Sequence, residues 1–479
     1  IYFLMRFNMI KINIPKNNIN ERKYIIDIIF DEFLGLEYQV NESDICKNWE
    51  IELENRHKLI LEDHFFSKYP NNLEYLKLEN IPSKVEFAQN KFIVEDNIPI
   101  IYGNTKLETK NYELETKNQK LKTIICGIDI FASSFFMLTR WEEYVNKNRD
   151  KHDRFPATES LAYKNGFLDR PIVNEYIEML RNMLLELGLS QKLKTRNYQL
   201  LLTHDVDIPL RYRNIMGNIR ELAGDILKQK SIVSALKSLN RQIKVFLGIQ
   251  KDPFDTFDYL MNISEKVGVK SYFFFMGKGT SKFDNMYKSS DKFVKNLIKK
   301  IKQRGHYIGI HPTYNAYNDF EQIKKEKQEL QIHLNTQITF GREHFLRFEV
   351  PTTWQIWDDN DLIWDSTLSF ADKEGFRCGV CYEFSVFNII TRKKLKLKEK
   401  PLIVMEGSFV TYQPNINPKD MEEKINYLIN KVKKYNGEFV FLWHNSSFNA
   451  AQWIKYQDIY ERVILNQNLE INKTFIKQQ

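Results

Sequence analysis

The ten residues Tyr198–Asp207 constrain this chain most: Tyr-Gln-Leu-Leu-Leu runs directly into Thr-His-Asp-Val-Asp. A short apolar run rich in β-compatible side chains predicts a buried strand, and this strand ends in an imidazole and two carboxylates. Unpaired charge in such a place is too costly to keep, so either cations pair with Asp205 and Asp207 or a metal binds there. The plainer alternative is that the two aspartates cap the turn or helix that comes next.

From about Arg196 onward, short apolar strands alternate with helical stretches, the pattern of a parallel α/β domain. There are seven strand candidates: Tyr198–Thr203, Ser271–Met276, Tyr307–His311, Glu343–Phe348, Leu362–Leu368, Leu402–Glu406 and Glu438–His444. Helices such as Lys292–Gln303, Phe320–Leu334 and Met421–Lys434 lie between them. Seven βα units predict a TIM-like (β/α)7 barrel over residues 191–479. Polar residues fall at nearly every strand end: Asp205 and Asp207, His311, Arg347, Asp365, Glu406 and His444. In barrels of this kind the C-terminal ends of the strands form the active-site face. Each residue taken singly is more simply a satisfied polar group, but random placement would not collect them all at one face.

Residues 1–190 read as a smaller α+β domain. Tyr24–Leu34 is helical in pattern, Ile98–Tyr102 strand-like, and Leu107–Lys122 a charged hairpin or loop. Asp129–Tyr144 and Ile172–Leu187 are amphipathic helices, and the aromatic stripe of the first reads as core. No catalytic constellation is visible in this half.

Composition narrows the function classes. A formal charge of +8 arises from 70 basic and 62 acidic residues without a long basic block, which argues against nucleic acid as a partner. Four scattered cysteines do not make a disulfide framework, so a reducing compartment, the cytoplasm, is expected. The apolar start Ile1–Met5 has neither a cationic segment before it nor a small-residue cleavage site after it and does not read as a signal peptide. Met5 or Met9 is an alternative start. No run approaches the roughly 18 apolar residues that a membrane span needs. Glycine-rich phosphate loops and a Gly-x-Ser-x-Gly elbow are lacking, which disfavours nucleotide enzymes and serine hydrolases.

Carboxylates and imidazoles at one face are natural ligands for zinc or a similar divalent ion, with cobalt, nickel or iron as alternatives. A bound water whose pKa falls towards about 7, a carboxylate that takes a proton and an imidazole that gives one are the parts of a metal-assisted amide or ester hydrolase. Asp205, Asp207, His311 and His444 supply them.

The ordered set Thr203-His-Asp-Val-Asp207, Gly305-His-Tyr-Ile-Gly-Ile-His-Pro312, Arg347 with Pro351, Asp365, and Leu442-Trp-His444 resembles the five motifs of the polysaccharide deacetylases, the NodB-homology proteins of carbohydrate esterase family four. The resemblance covers roughly residues 195–460 and implies a distorted (β/α) barrel. It also implies that Asp205 is the base, Asp207 and His311 are metal ligands, Arg347 orients the base, His444 is the general acid, and Asp365 or Asp372 tunes that acid. The implied reaction removes an acetyl group from a carbohydrate in bacterial surface-polysaccharide metabolism. Trp443, Tyr314 and Arg377 are candidates for substrate contact.

One position departs from the pattern. Where the family has a second metal-binding histidine, four residues after the first, this chain has Asn315, a poorer zinc ligand. Asn315, His344, His204 or water is left as the third ligand. A carbohydrate-binding pseudoenzyme is therefore one alternative, and an amidohydrolase acting on a non-sugar C–N bond is another, since allantoinase-like relatives share the Asp-Val-Asp form. The N-terminal region, especially Asp129–Tyr144 and Arg154–Pro171, resembles the domain of unknown function that precedes this deacetylase subtype in bacterial proteins. Between the first two strands lies a basic helical insertion, 208–252, with amphipathic patches at Ile219–Leu227 and Ile232–Phe246; it reads as a solvated helical pair, with a lid or a surface for anionic glycans or lipid headgroups as the alternative. The lone Cys378-Gly-Val-Cys381 reads as a plain loop.

Overall fold

The computed structural model describes residues 9–114, 119–212, 232–279, 281–284, 287–413, 415–450 and 452–477. The N-terminal half is built on a six-stranded sheet of β1 (Ile10–Pro15), β2 (Tyr38–Ser43), β3 (Trp49–Glu52), β4 (Lys58–Leu61), β7 (Gly103–Leu114) and β8 (Gln119–Ile128), in the order β2-β1-β3-β4-β8-β7. β5 (Glu86–Ala88) and β6 (Ile98–Ile100) pair separately. Of the charged segment, residues 107–114 lie in β7 and 119–122 in β8, and the two strands pair antiparallel. The helices Ile130–Thr139 and Ile172–Glu186 pack together, the first buried over its whole length. Asp129 starts that helix by accepting a hydrogen bond from the Ala132 amide.

The second half carries a nine-stranded sheet: β9 (Gln199–Val206), β10 (Tyr272–Phe275), β11 (Tyr307–Ile310), β12 (Phe340–Gly341), β13 (Trp364–Asp365), β14 (Phe384–Asn388), β15 (Lys393–Glu399), β16 (Val404–Met405) and β17 (Glu438–Leu442), in the order β14-β15-β13-β12-β11-β10-β9-β17-β16. Every pairing is parallel except β14 with β15. The connecting helices obey simple rules. Lys292–Gln303 buries Val294, Leu297, Ile298 and Ile301, a row at helical spacing, and its exposed lysines face water. Phe320–Leu334 is capped by Asp319, which accepts from the Gln322 amide, and Pro418–Lys434 by Asn417, with Pro418 in the first turn.

One sequence expectation is corrected by this sheet. The fourth strand is Phe340–Gly341, not Glu343–Phe348; residues His344–Leu346 form a tight 3-10 turn in which Phe345 and Leu346 are left-handed, with φ of 62° and 55°. The strand passes so close to β11 that a Cβ on Gly341 would lie 1.9 Å from the Ile310 carbonyl, which accounts for glycine there. The sheet also holds the antiparallel pair β14–β15, which lies outside the seven strand candidates. Lys393–Glu399 reads Lys-Lys-Leu-Lys-Leu-Lys-Glu, and its alternation buries Leu395 and Leu397 while leaving Lys393, Lys394 and Lys396 at least partly exposed.

Most buried apolar side chains form one core that runs through both halves, and Leu201, Leu346, Ala371, Leu402, Val440 and Leu442 form a second, smaller cluster. Polar pairs cross the same boundary: Arg392 holds Glu21 through two hydrogen bonds of 2.7 Å, Arg377 holds Glu143, the Tyr24 hydroxyl donates to the Ser385 carbonyl, and the Cys381 amide donates to Asn174. Among the described residues, no helix is long and apolar enough to cross a membrane.

Alternation along β9 points Asp205 and Asp207 to one face and His204 to the other. His204 is fully buried between the Trp443 carbonyl, 2.7 Å from Nδ1, and Ser271. Burial holds it neutral, pulling its pKa down to about 3. The unfolded chain, with an ordinary histidine near 6.5, therefore binds a proton that the folded chain refuses between those values. Stability contributed by the neutral ring is present above about pH 6.5 and is lost on acidification by up to about 1.4 kcal/mol per pH unit. Urea unfolding from pH 7 to 5 is expected to show this slope, and His204→Asn to flatten it.

Candidate metal centre

Three ligand atoms converge just beyond the C-terminal ends of β9, β11 and β12. Asp207 comes directly after β9, His311 after β11, and His344 lies in the turn after β12; one ligand atom from each sits within 4.8 Å of the other two. The Asp207 Oδ1 atom is 3.1 Å from His311 Nε2 and 3.7 Å from His344 Nε2. Ligands of a tetrahedral zinc site, bonded at about 2.0–2.1 Å, stand about 3.3 Å apart, so these distances need little adjustment. The donors are also correctly presented. The Nδ1 of His311 is 2.6 Å from the Arg342 carbonyl, and the Nδ1 of His344 is 3.2 Å from the Asp284 carboxylate. Hydrogen bonds there place the ring protons on Nδ1 and leave both Nε2 lone pairs facing the cluster. Asp207 Oδ1 is buried without a hydrogen-bond donor. The residues therefore fit a divalent cation.

Beside the three stand two further titratable groups that line the same cleft of about 210 Å³. Asp205 is buried and receives a 2.9 Å hydrogen bond on Oδ1 from Nη1 of the fully buried Arg342, whose guanidinium also bonds Ser366 and Thr203. His444 receives support from Glu406, 2.6 Å from its Nδ1, and the same carboxylate oxygen accepts the His444 amide at 2.9 Å. Its Nε2 faces Asp207 Oδ2 at 3.6 Å. Burial pulls the His444 imidazolium down, but Glu406, Asp207 and Asp205 outweigh it and push the ring up to about 10. Burial also pushes the Asp207 carboxyl up, and the rings of His344, His311 and His444 in their protonated, cationic form more than reverse it, holding the group ionised well below the usual carboxylate range.

Comparison with known proteins adds three findings. A family model described as a family of unknown function, DUF7033, matches residues 10–189. No curated protein matches the chain. Among solved structures, a Mycobacterium smegmatis protein assigned as a polysaccharide deacetylase is similar at 13% identity and a TM-score of 0.36, covering 57% of this chain and 86% of that one. A CE4 family pseudoenzyme from Bacillus anthracis is similar at 10% identity and 0.27, covering 56% and 60%. The chitin deacetylase of the fungal pathogen Colletotrichum lindemuthianum is similar at 13% identity and 0.24, covering 57% and 86%. Likenesses this distant carry no weight in assigning the site, which rests on its geometry.

Several residues singled out from sequence lie elsewhere. Arg347 does not touch Asp205; its guanidinium sits between the Tyr314 and Tyr317 rings and donates to the His152 and Tyr314 carbonyls. The arginine on Asp205 is Arg342, because the strand ends earlier than expected. Asn315 is exposed, accepts a long 3.4 Å bond from Arg347 and takes no part in the cluster, whose third member is His344. Asp365 is buried, bonded to Thr367 and pushed up to about 7 by burial, and Asp372 accepts the Ala157 amide. Glu406 is the carboxylate that meets His444.

Trp443 is fully buried with its indole N–H on the Ser447 carbonyl, and Arg377 is buried on Glu143, so neither reaches the cleft. Tyr314 is half-buried, its hydroxyl 3.1 Å from His152 and its ring on Phe283. Burial raises both thiols of Cys378 and Cys381. Asp284 and Arg342 had no sequence signal beyond their types.

A residue of the N-terminal half also lines the cleft. Arg154 is chelated by Asp150 through Nε and Nη2, donates from Nη1 to the Phe345 carbonyl at 2.9 Å, and donates from Nη2 to the Tyr412 hydroxyl at 2.6 Å. It thereby holds the left-handed turn that carries His344, a backbone state that costs about 1–3 kcal/mol per non-glycine residue. Arg154→Ala is expected to weaken the affinity of this cluster for a divalent cation about tenfold. Phe345→Gly in that background, which removes the steric penalty at one position, should recover part of the loss in a chelator-competition titration. Unchanged affinity in Arg154→Ala would show that the turn holds itself.

Proposed function

We propose that this protein is a metal-dependent hydrolase that removes acetyl groups from a carbohydrate, the C–N amide in the first place. The observation that carries the reading is the three-residue ligand cluster flanked by a separately oriented carboxylate and a separately oriented imidazole in one cleft. Asp207, His311 and His344 would hold zinc or a similar divalent ion, which supplies a Lewis acid and lowers the pKa of water. Asp205, pinned by Arg342 through Oδ1, keeps Oδ2 available to take a proton. His444, with Nδ1 committed to Glu406, offers its Nε2 proton to the departing nitrogen, and Glu406 stabilises the imidazolium before that transfer. Phe345 and Tyr412 line the cleft beside these groups and present aromatic surface to the apolar face of a sugar ring. We read the sheet as the wall of a distorted TIM-like barrel, a reading supported by its parallel strands and by the site's place at their C-terminal ends. Tailoring of a bacterial surface polysaccharide in the cytoplasm is the setting we infer.

The test is to offer the zinc-loaded protein N-acetylated amino-sugar oligomers, O-acetylated sugars and cyclic ureides, and to assay acetate release and ring opening. Acetate from the amino sugars, abolished by chelation, is the expected result. Ring opening of ureides would replace the sugar by another C–N substrate, and inertness of metal-loaded protein towards all three would leave a binding module.

A further inference from the structure

The net charge of the chain is not spread evenly. Residues 211–251 contain nine Lys and Arg against two Asp and Glu, a net of +7 out of the chain's +8. Part of this insertion, including the amphipathic patch expected at Ile219–Leu227, lies outside the described residues. The helix Ile232–Phe246 and the turn after it are described. On them Leu239, Ile243 and Phe246 recur at the spacing of one helix face and are 41%, 48% and 51% exposed; Leu247 and Ile249 continue the patch at 67% and 69%. Among the described residues, no other run of this length exposes as many large apolar side chains. Arg241 and Lys244, exposed as well, project from the opposite side of the helix, and exposed Lys251 comes after the turn.

The insertion is anchored beside the metal centre. The Asp252 carboxylate accepts the amides of Arg211, Tyr212 and Phe254, tying the two feet of the insertion together. Asn445, the neighbour of His444, donates to the carbonyls of Ile208 and Phe254 at 2.9 Å each. The two feet of the insertion therefore lie beside the residue that follows His444.

We propose that residues 239–251 dock onto an anionic lipid surface. An apolar row on one side and lysine and arginine on the other is the arrangement that lies in a bilayer interface: the apolar side chains enter the acyl boundary, and the cations, on long stems, reach the headgroups. A protein partner would be expected to bring acidic residues to this face; the chain itself has few to spare there, with two acidic residues between positions 211 and 251. That charge imbalance favours a surface with many negative charges over a second copy of this positively charged chain, which would repel it. The inference stands apart from the chemistry of the cleft, since binding is read without turnover. If both hold, the substrate is a glycan presented at a membrane.

The experiment is co-sedimentation of the full chain with vesicles of phosphatidylcholine alone and of phosphatidylcholine and phosphatidylglycerol in equal parts. Binding to the mixed vesicles, weak binding to the neutral ones, and loss in high salt are expected. Ile243→Ser with Phe246→Ser should lower the partition at least about tenfold, and Arg241→Gln with Lys244→Gln about thirtyfold. All four side chains are exposed, so folding is unaffected, and helicity by circular dichroism checks this. No binding to mixed vesicles, or equal binding by the parent and both double variants, would overturn the proposal. So would concentration-dependent dimerisation, seen by light scattering, that the Ile243→Ser, Phe246→Ser variant abolishes, since the face would then belong to a second copy.

Discussion

Replacing His344 by Ala is expected to strip the protein of metal, while Asn315→Ala leaves its metal content unchanged. His344 is one of three donors within 4.8 Å of one another, and its Nδ1 is committed to Asp284, so its Nε2 is the atom the cluster loses. Loss of one of three protein ligands should weaken binding by at least about a hundredfold, since losing even an outer partner of a ligand weakens it by about ten- to a hundredfold. Asn315 is exposed and bonded to the Arg347 guanidinium. Elemental analysis of both variants purified in parallel, with chelator competition afterwards, decides the matter. Retention of metal by His344→Ala and its loss from Asn315→Ala would return the ligand to the loop after β11, where the motif pattern puts it.

Asp205→Asn should separate chemistry from binding. The amide can keep an oxygen towards Arg342 and fills the same space, so the fold and the cluster of Asp207, His311 and His344 stay in place. What is lost is the proton acceptor, and general-base catalysis is worth about a hundred- to ten-thousandfold. We expect kcat on an acetylated amino sugar to fall by about a thousandfold with metal affinity within about threefold of the parent. The neighbouring change Arg342→Lys should lose activity too, because a lysine cannot bridge Asp205, Ser366 and Thr203 at once. A variant Asp205→Asn that lost metal and activity together would make Asp205 a ligand instead of a base.

How far the sequence reveals this site depends on the range of each interaction. Asp205, Asp207, His311, Glu406 and His444 are legible because each ends, or lies just past, an apolar strand, and a polar residue at such a place is a local signal. Arg342 is missed by a short slip of the strand. The apolar residues Phe345, Leu346 and Phe348 resemble a strand, but in the fold two of them turn left-handed over the cleft. The pairing of Glu406 with His444 spans 38 residues and that of Asp284 with His344 spans 60, and no local pattern announces either. Arg377 and Trp443 show the converse. A buried guanidinium on Glu143 and a buried indole look the same in sequence as groups that meet a substrate.

The core that runs unbroken through both sheets bears on how such a chain can be inherited. Arg154 reaches from one half into the cleft of the other, and Glu21, Glu143 and Asn174 are satisfied by partners two hundred or more residues away. A recombination event with its junction near residue 190 would hand the recipient the half with the ligand cluster, its apolar flank in water and its His344 turn unheld. The two halves are therefore expected to be transmitted as a linked pair, and a substitution on either side of their shared wall to favour a compensating one across it.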